Sequence, residues 1–264
     1  MVRLLLFFLP LLLYGVSLQE RVANIIGQQK FMQNRLLVNT IFSHDERFYK
    51  NGSIDMLKVV KTLQRLGLIS QKYDKPRQEQ IEFITYIQSP LFFKLVFDVL
   101  QEATVVDYVI EKMEQDHDGA FVRVVYKSNL VADPVKIMKF FHKNGIKVLT
   151  LSHSNGVWRY IIDFSKAFLA VPELKKKLYF TNIRYPIWIV VNGQKKIVVR
   201  ALNSTHWHPK LYIFNENFEP VEVIRKRKHL RQIILRLPKG RYYIKIADTF
   251  VLNNIQSGIE VFAQ

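Results

Sequence analysis

Apolar residues recur along this chain with two different periods, and the change from one to the other falls near residue 165. Before that point helical spacing alternates with strand spacing. Residues 19–43 are expected as one long helix, with Phe31, Leu37, Val38 and Ile41 among its apolar positions. Ser53 is placed to cap a second helix, in which Ile54, Leu57, Val60, Leu63 and Leu66 recur every third residue and Gly67 closes the run. A hairpin should follow, with strands at 68–73 and 80–87 around Asp74-Lys75-Pro76. Ser89-Pro90 opens the next helix with a cap residue and a proline at the first turn, and Phe92, Phe93, Val96, Phe97 and Leu100 form its apolar side. Strands at 104–113 and 120–127 come after it. Asp133-Pro134 repeats the device for a helix carrying Val135, Met138 and Phe141, and strands at 146–152 and 157–164 complete the series. The order is helix, strand, strand, three times over. One such unit leaves an apolar sheet face bare, so neighbouring units must cover it. The competing reading is an ordinary α+β domain whose elements fall in this order by chance. Both readings place the chain in the α+β class, with helices covering antiparallel hairpins.

Residues 165–177 begin as a short helix and end in Pro172-Glu173-Leu174-Lys175-Lys176-Lys177, which marks a linker. Beyond it the period is two. Strands are expected at 186–191, 194–201, 210–214, 221–225, 231–237, 241–247 and 258–262. Asn192-Gly193 between the first two is a strong hairpin signal. Seven short strands with frequent turns predict a basic all-β sandwich domain over 178–264. The helical lead-in and three αββ units then occupy 18–164.

Composition changes this picture in one respect. Arg3 is followed by an apolar run from Leu4 to Leu13, and then by Gly15 and Ser17 at positions suited to cleavage after residue 17. That is the layout of a signal peptide over 1–17. The run is too short for a spanning helix, which needs about 20 residues, and no later segment is apolar enough to serve. The chain has no cysteine, which excludes a disulfide scaffold, a thiolate metal site and a cysteine nucleophile. Export without disulfides points to a Gram-negative periplasm. Asn51-Gly52-Ser53 and Asn203-Ser204-Thr205 match a glycosylation sequon but serve equally as turns or caps.

Charge narrows the partners. The net formal charge is +17, and it is uneven. Residues 18–164 hold 20 Lys/Arg against 16 Asp/Glu, whereas 178–264 hold 14 against 5. Arg225-Lys226-Arg227-Lys228, followed by His229 and Arg231, is the densest basic cluster. It is a candidate docking patch for an acidic envelope protein, an anionic envelope polymer or lipid head groups, Trp207 being a further candidate contact. The plainer reading is a charged turn that protects sheet edges. Nucleic acid is not expected, because no stacking motif accompanies the cations.

Catalytic signals are absent. Ser152-His153-Ser154 lacks the nucleophile elbow and an identifiable third partner, and no phosphate-cradling glycine loop occurs. His206 and His208, two apart, would share one side of a strand and could hold a metal with His229 as a remote third ligand. The plainer reading buries Trp207 and leaves the histidines flanking it in solvent. Asp45-Glu46 and Asp116/Asp118 fall where turn chemistry explains them. The chain therefore reads as a non-catalytic binding or assembly protein without a cofactor. The alternative is a metal-dependent envelope hydrolase using His206 and His208.

The stretches Asn51-Gly52-Ser53-Ile54-Asp55 with Leu66-Gly67-Leu68-Ile69, His208-Pro209-Lys210-Leu211-Tyr212, and Leu237-Pro238-Lys239-Gly240-Arg241-Tyr242-Tyr243-Ile244 with Asn254-Ile255-Gln256-Ser257-Gly258-Ile259 resemble uncharacterised periplasmic proteins of ε-class proteobacteria. The resemblance implies a periplasmic location. It carries no activity and no site residues.

Overall fold

The computed structural model of the chain describes residues 17–43, 45–50, 52–202 and 206–264. The expected leader, apart from Ser17, lies outside the described residues, as do Asn51 and the whole sequon at 203–205. The chain is a mixed α+β structure, with six α-helices and several sheets among the described residues. No helix there is long and apolar enough to cross a membrane.

The expected long first helix is three short ones: α1 (Leu18–Ile26), α2 (Gln28–Gln33) and α3 (Arg35–Phe42). Gly27 breaks it at a φ of +84°, a conformation open to glycine and strained for other residues, and Asn34 breaks it again. Ser17 caps α1, its Oγ accepting from the Glu20 N–H at 3.2 Å. Arg21 ties α1 to the sheet below by donating to Leu149 O and Thr150 Oγ1, each at 2.9 Å.

A minimal pair, β1 (Tyr49–Lys50) and β2 (Ser53–Ile54), precedes α4 (Met56–Arg65). The cap of α4 is Asp55, which accepts from the Lys58 N–H at 3.0 Å; Ser53 sits in β2 instead. Aspartate caps as well as serine, and its charge also suits a helix N-terminus. The expected first hairpin is a single strand, β3 (Lys72–Thr85). Its register slips against its neighbour between Lys72 and Arg77, which absorbs Asp74-Lys75-Pro76 as an irregularity rather than a turn. Proline is tolerated there because the bulged stretch asks for no ladder donor.

The later expectations fare better. Helix α5 (Pro90–Glu102) leads to β4 (Tyr108–Asp116) and β5 (Gly119–Leu130), and α6 (Pro134–Lys143) leads to β6 (Lys147–Ser154) and β7 (Val157–Asp163). Ser89 and Asp133 cap these helices, and each is followed by proline. The five strands form one sheet in the order β4-β5-β3-β7-β6, antiparallel except for the parallel β3–β7 pair. Alternate residues Ile81 and Phe83, Val122 and Val124, and Trp158 and Tyr160 bury one face of it. Phe83 stacks on Tyr160 and meets Phe141 of α6 edge-on.

The second region has eight strands among its described residues: β8 (Lys177–Phe180), β9 (Ile187–Asn192), β10 (Lys196–Ala201), β11 (Pro209–Phe214), β12 (Pro220–Arg225), β13 (Gln232–Arg236), β14 (Arg241–Asp248) and β15 (Ile259–Ala263). They form two antiparallel sheets, β13-β10-β15-β8 and β12-β11-β14-β9. The expected hairpin at Asn192-Gly193 does not form, because β9 and β10 lie in different sheets. Gly193 takes a positive φ as the signal required, but it turns the chain from one sheet to the other, and its N–H donates to Gly240 O in the β13–β14 connection. Ile189, Val191, Ile197, Val199 and Leu211 from both sheets share one apolar core with Trp207 of the connection before β11.

Residues 165–177 contain no helix, and they are strapped down rather than loose. Asn144 accepts the Phe168 and Ala170 N–H groups, Leu174 is buried, and its N–H donates to Val190 O. Val190, Phe218 and Tyr243 of the second region pack into the core of the first. Lys94 of α5 lies over the Trp188 ring at 5.2 Å.

Candidate functional site

The basic cluster occupies the end of β12 and the connection to β13. Both are edge strands, of different sheets, and residues 225–231 are exposed throughout. No ion pair among the described residues engages Arg225, Lys226, Arg227 or Lys228. The register of the β11–β12 pair sets Arg225 directly opposite Lys210 and Val223 opposite Tyr212. Opposed residues share a face, so two cations are placed side by side, an arrangement that costs stability. Lys210 and Lys245 both lie over the Tyr212 ring, at 5.4 and 5.6 Å. Cationic groups from β11 and β14 thus lie over one tyrosine, with Arg225 of β12 across from Lys210 and the exposed Val221 and Val223 nearby.

Trp207, the further candidate contact, is fully buried and its indole N–H donates to Ala247 O. It is core, out of reach of a partner at the surface. His206 and His208 precede β11 and do not lie on a strand. His206 is exposed, with the His229 ring 6.5 Å away, while His208 Nδ1 lies 3.7 Å from Asp248. The Asp248 carboxylate already accepts from the N–H groups of His208, Phe250 and Val251 and from Asn254 Nδ2. Among the described residues, the trio of ligating groups within metal-binding reach of one another is Asp116, His117 and Asp118, all exposed at the β4–β5 turn. There Asp116 accepts the Asp118 N–H, the turn chemistry read from the sequence.

The structure adds a site that sequence reasoning missed. A cavity of about 430 Å³ lies between the α1–α2 junction, the start of β3 and the tip of the β6–β7 hairpin. Glu79 of β3 lines it with a side chain only 5% exposed. Its Oε2 lies 3.5 Å from His153 Nε2, and neither atom makes a hydrogen bond among the described residues. Trp158, across the β6–β7 pair from His153 and stacked on its ring at 4.3 Å, has an indole N–H that is likewise buried and unpartnered. Burial raises the Tyr73 phenol well above its ordinary value, and the adjacent Glu79 carboxylate raises it further. Burial also pushes the Tyr126 phenol up to about 12. Arg77 stacks over Tyr73 at 4.7 Å, and Lys30 of α2 also lines the cavity. Buried polar atoms nearly always find partners, so three of them without partners beside one cavity set this place apart. His153 thus has a carboxylate 74 positions upstream as its neighbour, but neither Ser152 nor Ser154 lines the cavity.

No family model and no curated protein matches this chain.

Proposed function

We propose that this is an exported, non-catalytic binding protein that docks an acidic envelope protein through the basic corner formed by Arg225, Lys226, Arg227 and Lys228 with Lys210 and Lys245. The observation that carries this reading is the like-charge pairing of Arg225 with Lys210 on an exposed edge. A bound carboxylate would relieve that repulsion, and the unpaired edge of β12 offers backbone groups to an incoming strand. Val221 and Val223 supply apolar contact beside the charges. On this reading the two four-stranded sheets are a β-sandwich, supported by the core their inner residues share. The successions α5-β4-β5 and α6-β6-β7 are an internal αββ repeat, supported by their common cap-and-proline starts. The apolar run near the N-terminus, the lack of cysteine and the family resemblance support export to the periplasm.

Replacing Arg225, Lys226, Arg227 and Lys228 with glutamine tests the docking surface. Salt-sensitive capture of an acidic envelope protein should be lost, and Val223→Glu alone should weaken it. Capture that survives both changes overturns the reading. Retention on heparin that collapses in the quadruple variant, with Val223→Glu harmless, would assign the corner to an anionic polymer instead.

A further inference from the structure

We propose that the cavity beside Glu79 binds a small zwitterion, a free amino acid or a dipeptide, holding its ammonium group on Glu79 and its carboxylate toward Trp158, Lys30 and Arg77.

Each part of the cavity asks for a different end of such a molecule. Glu79 is a buried carboxylate whose Oε2 makes no hydrogen bond among the described residues, its His153 neighbour standing off at 3.5 Å. A buried carboxylate gains most from a charged donor, since charge-assisted hydrogen bonds are about twice as strong as neutral ones. The Trp158 indole N–H can only donate, so it calls for an acceptor. His153 Nε2 can serve either end, according to the tautomer it adopts. Cationic side chains also line the cavity: Lys30 is half-buried and Arg77 exposed and stacked on Tyr73. A buried acceptor and a buried donor with two cations nearer solvent match a ligand that carries an ammonium group for Glu79 and a carboxylate for Trp158 and the cations. The volume, about 430 Å³, falls within the range of small-molecule sites. His153 covers one face of Trp158, so recognition is by hydrogen bonds and charge rather than by ring stacking.

The test is calorimetric titration of the full-length protein, with tryptophan fluorescence in parallel. The probes are individual L-amino acids and dipeptides, with ethanolamine and acetate as halves of the zwitterion. At least one amino acid or dipeptide should bind saturably, and either half alone should bind about tenfold more weakly or not at all. Glu79→Gln, which keeps the shape and removes the charge, should weaken binding by about tenfold. Trp158→Phe should weaken it while the fold, followed by circular dichroism, is kept. Lys30→Ala and Arg77→Ala should each cost about threefold, with ethanolamine unaffected. Failure of every amino acid and dipeptide to bind the folded wild-type protein would overturn the proposal. So would wild-type affinity in Glu79→Gln, or tighter binding of acetate than of any zwitterion.

Discussion

Both regions of this molecule bury acidic side chains, and they treat them differently. In the β region, Asp248 accepts from four donors, and Glu260 is held by Lys177 and by Arg200, whose Nη1 is 3.4 Å away. The α+β region matches this on one face of its sheet, where Glu82 is held by Arg123 at 2.7 Å and by Arg159. Three residues earlier on the same strand, facing the other way, Glu79 keeps an oxygen that makes no hydrogen bond among the described residues. Burial of a carboxylate is thus compatible with pure architecture. Burial with an oxygen left over sets Glu79 apart from these carboxylates, which are satisfied by their own surroundings.

The largest effect should come from a fully engaged carboxylate. Asp248→Ala strands the N–H groups of His208, Phe250 and Val251 and should cost about 3 kcal/mol or more, read from the urea midpoint. A loss under about 1 kcal/mol would erase the contrast. Glu82→Gln should cost about 2 kcal/mol, less than a wholly buried pair, because Arg123 and Arg159 reach solvent. It should also change the response to acid. Burial acts to raise the Glu82 carboxyl, but hydrogen bonds from Arg159 and Arg123 outweigh it and hold the group below its ordinary value. The hydrogen bond from Lys177 does the same for Glu260. A carboxyl lowered in the folded state adds stability above its unfolded value of about 4.3, and that stability is lost as pH falls through the folded value. The wild-type urea midpoint should therefore drop below about pH 4.3, and the drop should be shallower in Glu82→Gln. Glu79→Gln should move stability by less than about 1 kcal/mol, since no hydrogen bond of Oε2 is lost. Smallest of all, Lys210→Gln should stabilise by about 0.5 kcal/mol, by relieving the repulsion from Arg225. Thermal melts of the two proteins side by side would show it.

Much of this architecture is legible in the sequence, for identifiable reasons. Ser89-Pro90 and Asp133-Pro134 announce helices because capping and a fixed proline φ act locally. Trp158, Tyr160 and Ile162 announce β7 by strict alternation. Most strands of the second region fall within a residue or two of their expected places. Signals that depend on a distant partner mislead. Asn192-Gly193 specifies a turn but not whether the strands it joins pair with each other, and here β14 pairs with β9 while β13 and β15 pair with β10. Strand β8 hides in a lysine-rich stretch because its pairing with β15 supplies what its composition does not. The cavity had one readable trace. Period-two counting from Ile81 and Phe83 puts Glu79 at a core-facing position, where a carboxylate is out of place. His153 gave no such hint, because a register slip near residue 149 in β6 resets which side chains face inward.

Tyr243 carries a mechanical consequence. Its ring belongs to the first region's core, its hydroxyl accepts from Leu169 in the strap, and its strand runs through the middle of a second-region sheet. Neither half can melt without stripping the other of part of its interior, so scanning calorimetry should record one endotherm rather than two. A protein joined in this way holds the basic corner and the Glu79 cavity in fixed register, like two fittings on one casting.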